Sequence, residues 1–294
     1  MGAFLLSHEP SVRAGGFLLV LAVMAVAEAA SPRRRREIPR LLRWTNNLAL
    51  VLLDTLIVRL AFPVLAVGVA AAAEAQGFGL FNRLAVPGWL AVVATIVLLD
   101  LVVYLQHVLF HAVPALWRLH RVHHADVEID VTTGLRFHPL EILLSMALKL
   151  GAVAALGAPP VAVLLFEVIL NGMAMFNHSN LELPERVDRV LRLLVVTPDM
   201  HRVHHSIARV ETDSNYGFNL SLWDRLLGTY RPEPAAGHLA MTIGIEQFRE
   251  PREAWLDRLL TQPFRDPARA PAARVPATGP RSAPAAEPRA PGGS

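Results

Sequence analysis

Ten of the twelve histidines in this 294-residue chain lie between His107 and His205. His107 and His111 form an HxxxH. His120, His123 and His124 form an HxxHH, and His201, His204 and His205 form a second. The pentapeptide His-Arg-Val-His-His occurs at both 120–124 and 201–205, with His138 and His178 standing singly between. At this histidine content, two HxxHH patterns arise by chance in roughly 2 in 10,000 chains of this length. On a helix, i and i+4 sit about 40° apart and i+3 lies about 60° to the other side. Each cluster is therefore expected to point its imidazoles at one place beside its helix. Neutral imidazole suits zinc, copper, iron and nickel. Eight clustered ligands exceed the three or four of a single zinc site, so two metal ions are the economical reading.

The remaining chemistry is restricted. There is no cysteine, which removes thiolate zinc sites, cysteine-ligated iron–sulfur clusters and cysteine nucleophiles. No His-Glu-x-x-His marks a metalloprotease, no Glu-x-x-His accompanies the clusters as in soluble di-iron bundles, and no Gly-rich phosphate loop or Gly-x-Ser-x-Gly elbow is present. Hydrophobic types make up 53% of the chain and charged types 18%, both shifted away from the about 45–50% and about 25% of a soluble domain. The net charge is only +3, and six arginines from Arg33 to Arg43 sit between two apolar runs. That placement reads as a basic anchor at a membrane and not as a nucleic-acid arm.

The elements that must carry the histidines follow from four apolar stretches: Gly15 to Ala30, Leu48 to Ala73, Leu84 to Leu105, and Leu140 to Phe176. The last is broken by Gly157, Pro159 and Pro160 and reads as a hairpin of two short helices. The expected fold is an all-α integral membrane protein. It has about three spanning helices plus the hairpin, and a cytoplasmic helical cap carrying the histidine clusters. The first stretch also has signal-peptide features around Ala27 to Ala29, but the arginine run favours an uncleaved span. With that run in the cytoplasm, the regions near Gly77 and Ala158 face outward and all clusters face the cytoplasm, placing the active site on the inner side of the cell membrane. Asp54, Arg59 and Asp100 fall within apolar spans, where ionisable groups mark function by default; for Asp54 and Arg59 the favoured reading is a helix start at the interface with snorkelling side chains. Val187, Val190, Leu191, Leu194 and Val195 form an amphipathic pattern, with similar segments at Phe218–Leu227 and Ile245–Leu260. The expected organisation is 1–47, an N-terminal span with a basic segment; 48–262, the catalytic membrane domain; and 263–294, a Pro/Ala/Arg-rich disordered tail with no catalytic role.

The order HxxxH, HxxHH, HxxHH beside membrane spans resembles the fatty acid hydroxylase superfamily, with closest likeness to its sterol desaturase branch. The likeness extends to Leu135-Arg136-Phe137-His138-Pro139-Leu140-Glu141, Asn177-His178-Ser179-Asn180, Thr197-Pro198-Asp199-Met200, Asn215-Tyr216-Gly217 and Leu222-Trp223-Asp224. It covers about Leu48 to Tyr230. The resemblance implies a histidine-held di-iron centre that oxidises a lipid with O2 and two electrons from a partner. The eight clustered histidines carry over as ligands, and His178 joins them by likeness to related enzymes. His138 stays open between ligand, donor behind a ligand, and helix-start residue.

Hydroxylation and desaturation share such ligands, and the motifs do not separate them. Zinc can replace iron in purified protein. Asp100, Asp126 and Asp199 are the carboxylates expected to orient imidazoles, against a plain capping or surface role for Asp126 and Asp199. Two other classes compete: a metal-dependent membrane lipid hydrolase and a metal transporter or binding protein. The clusters lie past the ends of the apolar runs and not at the bilayer midplane, which disfavours transport. The chain also lacks any electron carrier. It has no cysteine, no Gly-x-Gly-x-x-Gly, and only His8 and His238 outside the clustered region. A separate ferredoxin- or cytochrome-type donor with its reductase is therefore expected.

Overall fold

The structure is a computed structural model that describes residues 2–84 and 86–265. Among the described residues the regular elements are helices, joined by isolated bridges and without a β-strand. The principal helices are α1 (Glu9–Ala30), α2 (Arg40–Ala61), α3 (Ala66–Ala75), α4 (Gly88–Ala112), α5 (Pro114–His124), α6 (Pro139–Leu156), α7 (Pro160–Asn177), α8 (Glu185–Leu191) and α9 (Pro198–His204).

Five stretches are long and apolar enough to cross a membrane: Glu9–Ala30, Arg40–Arg83, Gly88–Ala112, Pro139–Leu156 and Pro160–Asn177. Large apolar side chains stand outward on them, including Leu19, Val26, Leu52, Leu60 and Trp89, as a lipid-facing surface requires. The protein is an integral membrane protein. The second apolar run, expected as one span over Leu48 to Ala73, is instead broken. Its helix begins at Arg40, ends at Ala61, and resumes at Ala66. Pro63 lies in the gap and cannot continue the helical ladder. Asp54 is therefore a buried residue fourteen positions into α2 and not a helix start, while Arg59 is exposed near the helix end.

Proline places most boundaries. Pro114, Pro139, Pro160 and Pro198 occupy first helical turns, where a missing N–H is harmless and φ is already helical. Gly157 closes α6 at φ 61°, a left-handed cap that suits glycine. The turn at Gly79 abuts this hairpin tip so closely that a Cβ there would lie 2.2 Å from the Gly157 nitrogen. The regions near Gly77 and Ala158 thus share one end of the molecule. His107 and His111 lie at the other end of α4, and His138 and His178 at the other ends of α6 and α7. Eighteen residues of helix separate the two ends by roughly 27 Å.

α1 lies along α7, with Met24 packed among Val131, Leu135 and Met175. Within the apolar layer, Arg13 of α1 (2.5 Å) and Lys149 of α6 (2.6 Å) both pair with Glu167 of α7. At the histidine end, the buried Glu28 accepts from the backbone N–H of Val131 and of Asn180, each at 2.7 Å, and pairs with Arg36 at 2.7 Å. The first helix is thereby part of the body that shapes the site, although nothing in its own sequence announces this.

The long amphipathic helices expected after Leu183 are short. α8 stops at Leu191, the Phe218–Leu227 segment holds the helix Leu222–Leu226, and the Ile245–Leu260 segment holds a 3-10 turn at Pro251–Ala254 and the start of the helix Leu256–Thr261. Of the tail expected from Pro263, residues 263–265 are packed: the Pro263 and Arg265 carbonyls accept from Arg118 (2.7 Å) and Arg121 (2.6 Å). Residues 266–294 lie outside the described residues.

Arg43 of α2 is fully buried and donates to Asp126 (2.7 and 3.2 Å), to Asp130, to the Glu128 carbonyl and to Thr133 (3.1 Å). Burial alone would push the Asp126 carboxyl up; Arg43 and Arg136 hold it below the usual range. The replacement Arg43→Met leaves buried carboxylates uncompensated, which costs about 3–5 kcal/mol. Thermal unfolding in detergent should fall accordingly, and an unchanged transition would show that the cage is not needed for stability.

Candidate metal centre

Three pieces of chain converge on the ends of α4, α6 and α7. α4 brings His107 and His111 in its last two turns, α5 brings His120, His123 and His124, and α9 brings His201 and His204 with His205 as its C-cap. His178 caps the end of α7. These nine form two groups whose nitrogens lie within 4.8 Å of one another: His107, His111, His120, His124 and His204 in the first, and His123, His178, His201 and His205 in the second. All are buried.

The expectation that each HxxHH gathers around one point is corrected. In both pentapeptides the i and i+4 residues go to one group and the i+3 residue to the other. Residues i+3 and i+4 diverge by about 100° on a helix, so one short helix can serve two points at once. The two identical pentapeptides divide in opposite senses. His120 and His124 join the first group and His123 the second, whereas His201 and His205 join the second and His204 the first.

Six of the nine rings have an Nδ1 partner among the described residues. His107 Nδ1 donates to the Tyr216 carbonyl at 2.8 Å, His204 to Ser214 at 2.7 Å, His178 to Ala174 at 2.7 Å and His123 to Arg136 at 3.3 Å. Carboxylates serve two more: Glu141 lies 2.7 Å from His120 Nδ1, and Asp213 lies 3.4 Å from His111 Nδ1. A carbonyl only accepts, so each ring bonded to one carries its proton on Nδ1 and presents a bare Nε2. Those bare atoms point at each other. His123 Nε2 and His178 Nε2 are 3.0 Å apart, and His107 Nε2 and His120 Nε2 are 3.1 Å apart. The buried His204 Nε2 has no hydrogen-bond partner among the described residues.

Protonation does not relieve this opposition. Burial pushes His120 down to about 3 and His178 to about 4, and places His123, His124, His201, His204 and His205 well below the usual value. Facing lone pairs on neutral rings repel unless a cation lies between them. The donor set therefore fits bound metal, and its all-imidazole character suits iron or zinc.

The three aspartates expected to orient imidazoles bond none of the nine grouped rings, Asp199 lying instead 3.8 Å from His238 Nε2. Asp100 accepts from Trp223 Nε1 at 2.9 Å and from the backbone N–H of Asn219 and Leu220, each at 3.2 Å. It thereby secures the loop that supplies the Tyr216 carbonyl. Asp126 lies in the Arg43 cage beside Arg136. Asp199 pairs with Arg202 and Arg33. His138 is outside both groups: its Nδ1 accepts from Leu140 N–H as a helix cap, and its Nε2 faces the Leu260 carbonyl at 3.2 Å.

Glu141 and Asp213 are the carboxylates that the sequence reading missed. Glu141 stands within the Leu135–Glu141 stretch already singled out, three residues beyond His138, so its position on the first turn of α6 was a usable signal. Asp213 had none. Gly134 was also missed: a Cβ there would lie 2.3 Å from the Ala174 carbonyl, the group that anchors His178.

The sequence profile of the family described as fatty acid hydroxylase matches residues 92–229. The chain is 33% identical over 153 residues to an ornithine lipid hydroxylase of Rhizobium tropici, a match covering 51% of this chain and 45% of that protein. It is 30% identical over 152 residues to human alkylglycerol monooxygenase, covering 49% and 32%. To rat cholesterol 25-hydroxylase it is 27% identical over 150 residues, covering 50% and 49%. The matches thus span less than half of each of these relatives. No solved structure matches.

Removing the partner of His120 Nδ1 frees that ring to rotate and to change tautomer, and losses behind a metal ligand typically lower affinity about 10–100-fold. Glu141→Leu should show such a loss in competitive metal titration, while Glu141→Gln, which keeps an acceptor oxygen, retains more affinity. Equal affinities in wild type and both variants would separate Glu141 from metal binding.

Proposed function

Starting from the fatty acid hydroxylase domain formed by residues 92–229, we propose that the chain is a membrane-bound, iron- and oxygen-dependent lipid hydroxylase. The observation that carries the reading is the pair of buried histidine groups with bare Nε2 atoms facing one another. We assign one iron to His107, His111, His120, His124 and His204, and a second to His123, His178, His201 and His205. Bound iron supplies the oxygen chemistry that an unactivated C–H bond demands. In balance, C–H becomes C–OH, and the second oxygen atom leaves as water with two electrons and two protons consumed. The names of the three relatives share oxygen insertion on three different lipids, which favours hydroxylation over desaturation.

The chain's own residues hold and shield. Carbonyls fix Nδ1 of His107, His123, His178 and His204, and carboxylates lie beside Nδ1 of His120 and His111, so these rings are oriented by the chain itself. Burial keeps the rings neutral and excludes water.

Electrons come from a separate carrier in this reading. Arg34, Arg35, Arg36 and Arg249 outnumber Glu37 and Glu128 around a cavity of about 270 Å³ whose other walls include Val127, Ile129 and Asn180, close in sequence to His123 and His178. That basic surface suits an acidic ferredoxin- or cytochrome-type donor, with steering that weakens in salt. The experiment uses iron-loaded protein in lipid nanodiscs with a membrane lipid extract and ¹⁸O₂. Without a carrier and reductase there should be no product; with them, a lipid heavier by one ¹⁸O should appear, more slowly at high salt. Turnover without oxygen overturns the reading in favour of hydrolysis. Sustained oxidation with nicotinamide nucleotide alone overturns the separate donor.

The arginine-rich histidine end is assigned to the cytoplasm of the cell membrane and the Gly79–Gly157 end to the outside. The chain has no cysteine, so Glu74→Cys and Arg186→Cys, both at exposed positions, report orientation. An impermeant maleimide added to intact cells should label the first and spare the second. The opposite pattern inverts the topology.

A further inference from the structure

Two short segments on either side of the third histidine cluster turn apolar groups outward and polar groups inward. Val190, Leu193 and Leu194 belong to the end of α8 and the turn after it; Leu222, Leu226 and Leu227 belong to the helix Leu222–Leu226 and its end. All six are exposed, by 41–72%. The polar residues among them are buried: Asp188, Arg192, Asn219, Ser221 and Asp224. Asp188 pairs with Arg192, and Ser221 Oγ donates to the Arg192 carbonyl at 2.8 Å. The Val196 N–H donates to the Asn219 carbonyl (3.0 Å) and the Ser221 N–H to the Leu194 carbonyl (3.1 Å), which sets the two apolar groups side by side. Facing water, this pattern would be inverted.

α4 gives the level at which the segments sit. The Tyr216 carbonyl meets His107, the Asn219 and Leu220 N–H and Trp223 Nε1 meet Asp100, and Thr229 meets the Tyr104 hydroxyl at 2.8 Å. The chain therefore descends α4 from His107 to Asp100 and returns by Tyr104. Seven residues of helix make that descent about 10 Å, away from the histidine end and into the span. Asp100 is the central residue of the 25 in α4. Trp89, exposed near the far end of the helix, suits a membrane interface. Counted from Trp89, a hydrocarbon core of about 30 Å takes in about twenty residues and reaches Leu109. The loop at Asp100 lies inside that layer.

Irregular backbone is tolerated at such depth only where protein satisfies it. Here the Asp224 carboxylate accepts from the Tyr216 and Gly217 N–H at 2.8 Å, and the Asp224 carbonyl from those of Thr229 (2.9 Å) and Tyr230 (3.1 Å). Arg225, exposed beside Leu226, donates to the Arg192 carbonyl at 2.8 Å and lies 4.0 Å over the Tyr230 ring.

We propose that the two segments form a membrane-inserted element, with the six apolar side chains in the acyl-chain region of the leaflet on the histidine side. Lipid hydrocarbon covers them. The helical cap is then sunk into the membrane along α4, and the first histidine group lies at the hydrocarbon boundary, where a lipid reaches it without leaving the leaflet. The inference goes beyond the hydroxylase reading and does not depend on it.

The chain has no cysteine, so Leu194→Cys and Leu226→Cys each carry a single bimane fluorophore. Leu52→Cys on α2 and Thr242→Cys beside the arginine-lined cavity, both exposed, are the lipid and water references. Full-length metal-loaded protein, as single chains in nanodiscs, is titrated with aqueous iodide and, separately, assembled in phosphatidylcholine brominated along its acyl chains. Brominated lipid should quench the Leu194 and Leu226 labels as it does the Leu52 label. Iodide should quench them about tenfold less than the Thr242 label, because hydrocarbon excludes the anion. Iodide quenching equal to that at Thr242 places the surface in water and overturns the proposal. Shielding from both quenchers overturns it as well, since the cover is then protein. Leu193→Cys and Leu222→Cys give the same reading at independent positions if a first variant fails to fold. None of these outcomes alters the ¹⁸O test, so the hydroxylase reading stands or falls separately.

Discussion

The arrangement depends on a repulsion. Neutral imidazoles whose Nε2 atoms stand 3.0 Å apart, as in His123–His178, form no hydrogen bond because each Nδ1 already donates its proton to a carbonyl. His107, His123, His178 and His204, buried and each held to a carbonyl through Nδ1, are in this state and are a net liability to the fold without metal. What compensates is the framework behind them: carbonyls of Tyr216, Ser214, Ala174 and Arg136, and carboxylates of Glu141 and Asp213. Each anchor is itself held, so the opposition is transmitted outward and does not relax locally.

The Tyr216 carbonyl illustrates the depth of that framework. Asn215 sits at φ 50° and is fixed by its amide donating to the Met200 and Arg231 carbonyls at 2.9 and 2.8 Å. Asp224 accepts from Tyr216 and Gly217 N–H at 2.8 Å, and Asp100 accepts from Trp223. The segments Asn215-Tyr216-Gly217 and Leu222-Trp223-Asp224 thus do no chemistry themselves. They hold one carbonyl where His107 needs it, and Asp100, from within an apolar helix, reaches the same loop. Asp100, a carboxylate in a span, bonds a loop and not an imidazole.

This explains what could be read in the chain. Helix positions were legible because apolar runs and prolines act locally, and the histidines because their spacing is improbable by chance. The division of each HxxHH between two groups was not legible, since it depends on which neighbours supply the remaining rings. Asn215-Tyr216-Gly217 stood out by its family likeness, but the role of its carbonyl did not, and Ser214 and Ala174 gave no signal at all, because a carbonyl is common to every residue and leaves no trace in composition. The break at Phe62–Leu65 was missed because a lone Pro63 in an apolar run is outweighed by the hydropathy around it. The Glu28 and Arg43 contacts were hidden for a different reason: both residues pair with groups about a hundred positions away.

Those two residues also bear on what constitutes the functional unit. The matched family region begins at residue 92, yet Glu28 binds the backbone at Val131 and Asn180, just beyond His124 and His178, and Arg43 binds Asp126 and Thr133 in the same segment. Polar groups supplied by α1 and α2 therefore close the backbone between the histidine-bearing helices. An unpaired buried N–H costs about 1–3 kcal/mol, so the loop from Ala125 to Arg136 holds its shape only with both helices in place. The Arg136 carbonyl at its end anchors His123, which makes the geometry of the second histidine group a property of the whole helical body and not of the matched region alone.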